Sequence, residues 1–117
     1  MDVRGPPLGK ITCAMKARMQ ARRHELVRLL EKHRPTAGMY VRVHGEHLVI
    51  GRTENFGPKS EPVADDRVRL TSLGASRYGL SVKRHTGRWE RTPFSGDMTE
   101  MVDTILEYMQ HLVAPYG

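Results

Sequence analysis

Apolar positions recur along this chain with two different periods, and each period predicts a kind of element. Met98, Met101, Val102, Ile105, Leu106, Met109, Leu112 and Val113 keep the spacing of one helix face. Asp97 with Glu100 three residues on has the form of a capping box, and Pro115 marks the far end. Near the other terminus Ile11, Met15, Met19, Leu26 and Leu30 repeat at helical spacing, predicting a long amphipathic helix over 10–34 that Pro35 and Gly38 stop. Arg22 falls inside that apolar stripe and weakens its first half.

Between the helices the period changes to two. Val41 and Val43 alternate with Arg42 and His44, and Leu48 and Ile50 resume beyond Gly45-Glu46, which reads as two strands joined by a tight Gly-X turn. Val68 and Leu70 face inward in "RVRLTSL", as do Leu80 and Val82 in "LSVK". After a turn at His85–Gly87, "RWERTPF" supplies a last strand that Pro93 marks as an edge or an end. The order helix, about five antiparallel strands, helix predicts an α+β two-layer sandwich with a meandering sheet. Residues 1–9 read as a flexible arm, residues 10–117 as one domain, and residues 55–66, with their two prolines and mixed charges, as an exposed loop.

Composition narrows the function classes. The 117 residues suit a single core, and no apolar run approaches the ~18 residues of a membrane span, so no membrane role is expected. Cys13 is the one cysteine; it forms no internal disulfide, which fits a cytoplasmic setting, and on its apolar-leaning stretch it reads as a buried thiol. No motif names a reaction or a cofactor. The glycines form no phosphate-cradling run, and Asp65-Asp66 reads as a turn before a strand, so the expectation is a non-enzymatic protein. His44 and His47 flank a turn, but two turn histidines fall short of a zinc set, and no metal is expected.

Charge is the informative feature. Residues 1–34 hold nine Lys/Arg against three Asp/Glu, residues 35–96 ten against six, and residues 97–117 none against four. Strand alternation assigns Arg42, His44, Arg67, Arg69, Ser81 and Lys83 to the sheet face away from the helices, with Arg84 and Arg88 at the last hairpin. Spaced cations with an aromatic nearby are the composition that tracks a phosphate backbone, in RNA or DNA. Trp89 beside arginines suits stacking, although Trp89 with Phe94 also suits a plug at the junction of sheet and last helix, the preferred assignment. In the first helix Lys10, Lys16, Arg18, Arg22 and Arg23 all precede the first acid, Glu25, against the helix dipole. Something negative should answer them. Either it is an outside polyanion, or it is an acidic surface, on another protein or on the 97–113 helix of this chain or of a second copy.

Overall fold

The alternating segments pair in the order in which the chain makes them. In the computed structural model, which describes residues 13–54 and 61–113 apart from the side chains of Cys13 and Met15, five antiparallel strands form one meander. They are β1 (Tyr40–His44), β2 (His47–Glu54), β3 (Val63–Gly74), β4 (Arg77–Lys83) and β5 (Trp89–Gly96). Helix α1 (Cys13–Glu31) precedes them, and α2 (Met98–Tyr108) with a short α3 (Gln110–Val113) follows. The arm at 1–9, the centre of the expected loop at 55–60 and the Cys13 thiol lie outside the described residues. The expected α+β sandwich is what the chain forms. Among the described residues no helix is long and apolar enough to cross a membrane.

The core is the inward face of the sheet under its helices. Val41, Leu48, Ile50, Val68, Leu70 and Leu80 are buried against Met19, Leu26 and Leu30 of α1 and Met98, Met101, Val102 and Ile105 of α2. Burying such aliphatic side chains is worth about 1.5–3 kcal/mol each. Helix α1 lies along the edge strand β1, and α2 along β4 and β5. The interrupting Arg22 turns to Ser76 and Glu25, and its neighbour Arg23 ties α1 to strand β1, its Nε donating to the Val41 carbonyl at 2.6 Å. At α2 the capping box forms, with Asp97 Oδ1 accepting from the Glu100 amide at 2.8 Å and Glu100 Oε1 from the Asp97 amide at 2.9 Å. The helix that periodicity carries on to Val113 breaks at Met109 into α2 and α3.

One irregularity decides which way the charges point. Pairing of β2 with β3 shifts between Ile50 and Gly51, so Ile50 faces Val68 while Gly51 faces Asp66, and Arg67 is the extra residue. A bulge of this kind lets two successive side chains leave on one side. Arg67, expected outward beside Arg69, therefore turns under the helices and is 6% exposed. Its guanidinium donates to Asp65 Oδ2 at 2.7 Å, Glu54 Oε1 at 3.0 Å and the Leu112 carbonyl at 2.9 Å. Arg52 joins it there, donating to the carbonyls of Val113, Ala37 and Pro35. The two guanidiniums thus answer the Leu112 and Val113 carbonyls of the short α3, and Arg52 ties them to the Pro35 and Ala37 carbonyls before β1.

The bulge also corrects the expected loop. Residues 63–66 belong to β3, with Asp65 and Asp66 on opposite faces and each bound to an arginine. A polar strand start reads as loop until its partners are known.

Gly51 makes this junction possible. A methyl group there would lie 2.3 Å from the Asp65 carbonyl oxygen and 2.4 Å from the Tyr40 hydroxyl, because the Tyr40 ring crosses β2 at this point to reach Asp66. Gly51→Ala should cost about 2–4 kcal/mol in a urea unfolding titration. A loss below ~0.5 kcal/mol, the level of an ordinary surface change, would mean that Tyr40 and β3 step aside freely. The β3–β4 turn offers the opposite test. Its central residues Ala75 and Ser76 both have positive φ, 49° and 63°, without being glycine. Ala75→Asn should add roughly 0.5–1 kcal/mol, because Asn tolerates the left-handed region better. An unchanged urea midpoint would show that the turn carries no such strain.

Candidate functional site

The sheet face away from the helices carries a row of side chains set by register. Arg42, Val49, Arg69, Ser81 and Arg91 succeed one another across the five strands, and Lys83 pairs with Trp89 one step along. Next to that row His47 lies opposite Thr71, which lies opposite Gly79 and then Ser95. A trough of about 560 Å³ runs along this face, with Glu46, His47, Arg69, Thr71, Ser81 and Arg91 among its lining and Leu73 as apolar wall.

Beside the trough, at Arg69, two cations share one ring. The Arg69 guanidinium carbon is 4.8 Å from the centre of the Trp89 ring, and Lys83 Nζ is 5.9 Å from it. Cation–π contact of this geometry positions a charge without neutralising it. Among the described residues no carboxylate lies within ion-pair distance of Arg69, Lys83, Arg88 or Arg91. Arg69 Nε is buried with no hydrogen-bond partner, and burial pulls the Arg69 pKa below the ordinary arginine value. Glu46 also lines the trough, but among the described residues no carboxylate pairs with Arg69 or Arg91 there.

Trp89 corrects an expectation. It was assigned with Phe94 to a plug between sheet and last helix, and only Phe94 goes there, packing on the core and stacking on Tyr108 with ring centres 5.6 Å apart. Pairing with Lys83 puts Trp89 on the far face instead. Between the two residues the β4–β5 register slips, so Leu80 has no simple partner. Thr92 fills that gap, its hydroxyl donating to the Leu80 carbonyl at 2.8 Å.

The other expected cations divide among different surroundings. Arg42 remains on this face but is held by Asp66, Nη2 to Oδ2 at 2.7 Å, as part of a cluster with Tyr40. Burial alone pushes the Asp66 carboxyl up; the hydrogen bonds from Arg42 and Tyr40 outweigh it and hold the group below the usual carboxylate range. Arg67 is buried on the opposite side, as described above. Arg84 is exposed and paired with Glu90 at 2.8 Å, and Arg88 is exposed at the same hairpin. On α1, Arg18 is exposed, Arg22 reaches Ser76 and Glu25, and Arg23 is spent on β1. Arg91 is the residue the sequence reading missed. Its signal was its position two residues from Trp89, which shares a strand face with it.

No family model matches this chain, and no curated protein or solved structure matches it either.

The histidine pair lies at the shallow end of the face. His44 and His47 rings are stacked with centres 6.3 Å apart, and His47 Nδ1 shares a hydrogen bond of 2.8 Å with the Thr71 hydroxyl. Among the described residues no three His, Cys, Asp or Glu side chains converge as a metal set would. Burial, with the positive charge of Arg69 and of His44, lowers the His47 pKa below the ordinary imidazole value. The unfolded chain then takes up this proton first, so stability should fall as pH drops through the unfolded value of ~6.5 and level off below the folded one. Asp66 acts in a separate window: its contribution is complete above its unfolded value of ~3.9 and is lost as pH falls through the lower folded one. Thermal midpoints at about pH 7.5 and about pH 5.5 should therefore differ less for His47→Gln than for the natural chain. An equal difference in the two proteins would place the titration elsewhere.

Proposed function

We propose that this chain is a small, non-enzymatic binding module that contacts nucleic acid with the uncovered face of its sheet. The observation that carries this reading is Arg69 and Lys83 over the Trp89 ring, with Arg91 two residues along the same strand, three cations that form no ion pair with a described carboxylate. Their strand spacing suits successive phosphates, and a trough beside an indole suits a strand whose bases turn toward protein. Arg42 is a weaker contributor, because Asp66 already holds it. Arg88 stands at the hairpin near the end of this track. The single cysteine fits a cytoplasmic role.

A second reading rests on a different observation. None of the described ion pairs joins α1 to the acids of α2, and among the described residues the cations of α1 meet a carboxylate only where Arg22 approaches Glu25. An acidic protein, or α2 of a second copy, would answer them.

Fluorescence anisotropy with labelled single-stranded RNA and duplex DNA separates these. Three phosphate contacts give a salt slope near ~2 for a single strand, which is on the order of a fifteen- to twentyfold loss of affinity between 50 and 200 mM salt. Arg69→Ala with Arg91→Ala should weaken binding at least tenfold and flatten that slope, while Arg84→Ala, which breaks only an exposed pair, should leave both nearly unchanged. Absence of binding at 50 mM salt would end the nucleic-acid reading. A concentration-dependent dimer in light scattering would then favour the second.

A further inference from the structure

A second concavity lies on the other side of the sheet, where the middle of α1 passes the β3–β4 turn. It measures about 250 Å³ and is lined by Arg18, Met19, Arg22, Ser72, Ser76 and Tyr78, together with the turn backbone at Gly74 and Ala75. Tyr78 is 3% exposed and forms a fixed part of this lining. Arg22 Nη2 donates to the Ser76 hydroxyl oxygen at 3.2 Å, so a guanidinium and a hydroxyl already meet there.

The charge in this pocket is unbalanced. Arg18 and Arg22 sit one helical turn apart, where like charges repel, and no acid precedes Glu25 among the described residues of α1. Glu25 approaches only Arg22, at 3.6 Å, with its side chain 55% exposed, an arrangement that contributes little. No described carboxylate reaches Arg18. Opposite the arginines the turn holds Ala75 and Ser76 in a backbone region that costs about 1–2 kcal/mol for a residue with a side chain. That conformation presents the Ser76 hydroxyl to the pocket.

We propose that this pocket is an anion site for a terminal phosphate group, separate from the open sheet face. Arg18 and Arg22 would each donate to its oxygens, and the Ser76 hydroxyl would rotate to donate as well. Two guanidiniums with one hydroxyl match a doubly charged terminal phosphate better than a singly charged diester. The group arrives either as a free ion or on a small phosphate monoester, and the same donors serve both.

Titration of the isotopically labelled full chain with inorganic phosphate, and separately with glycerol phosphate, followed by nuclear magnetic resonance, tests this. Saturable shifts should be confined to residues 74–76 and to the Arg18 and Arg22 side chains. Saturation by both ligands places monoesters in the site; saturation by inorganic phosphate alone restricts it to the free ion. Arg18→Gln and Arg22→Gln should each weaken saturation about tenfold or more, as the loss of a charge-assisted hydrogen bond does. Ser76→Ala should weaken it less. The open-face double variant of Arg69 and Arg91 should leave it unchanged, so this site stands or falls independently of nucleic-acid contact. Unsaturated shifts spread over all exposed cations would overturn the proposal. So would a response at these residues only to an oligonucleotide lacking terminal phosphates. Thermal midpoints near that of the natural chain show that the glutamine variants remain folded, and Arg18→Gln, which removes no hydrogen bond or ion pair among the described residues, keeps the test open if Arg22→Gln unfolds.

Discussion

The arrangement of charge in this protein depends on one slipped residue. Where β2 meets β3 the ladder skips at Arg67, and from that point outward the side chains that should face away from the helices face them instead. Without the slip, Arg67 would extend the row containing Arg69, and the carbonyls of Leu112 and Val113 would have to look elsewhere for donors. With it, Arg52 and Arg67 together bind four backbone carbonyls: those of Pro35, Ala37, Leu112 and Val113. Glu54 and Asp65 balance the buried Arg67, which is why so polar a junction is tolerable inside the fold. The seating of α3 over the sheet and the make-up of the open face have one cause.

That constraint sorts the basic residues by role. A formal charge of +6 suggests a broad positive surface, yet Arg67, Arg42 and Arg84 are held by carboxylates, and Arg52 and Arg23 by carbonyls. Among the other described cations, Lys16, Arg28, Lys32 and Arg34 are exposed, and two further groups stand out, Arg69 and Lys83 at Trp89 on the open face and Arg18 with Arg22 on α1. These lie on opposite sides of the sheet. A single continuous basic patch would attract any polyanion; two small separated ones select for shape as well as for sign.

How legible this was depended on whether a local rule held. Alternation gave the inward valines and leucines of β1 to β4 because those strands are regular where their apolar residues lie. The capping box at Asp97 was legible because it is a contract between two residues three apart. Arg67 was not, since a bulge is a property of two strands and nothing in "DDRVRL" alone announces it. Trp89 and Phe94 were misassigned together for the same reason: the register slip after Leu80 lies between them, so they could not be treated as one plug. Arg91 went unselected although Trp89 was noticed, because the hairpin register that joins it to Ser81 and Arg69 is non-local. The element order was fully readable, and the placement of charge was only partly so.

The acidic end of the chain completes the electrostatic argument. Helix α2 has no basic residue, and two of its acids project from it, Asp103 and Glu107, both exposed. It lies along β4 and β5, the same strands whose opposite face carries Lys83, Trp89 and Arg91. One end of the sandwich is therefore negative behind and positive in front, with a sheet between. Around α2 the charges thus set up a field that points from the strand side toward the helix, the sign that disfavours an anion behind this end relative to one in front. The hydrophobic pattern that packs α2 onto the sheet thereby also fixes the direction of that field, since the stripe that buries Met101 and Ile105 leaves the acids facing outward.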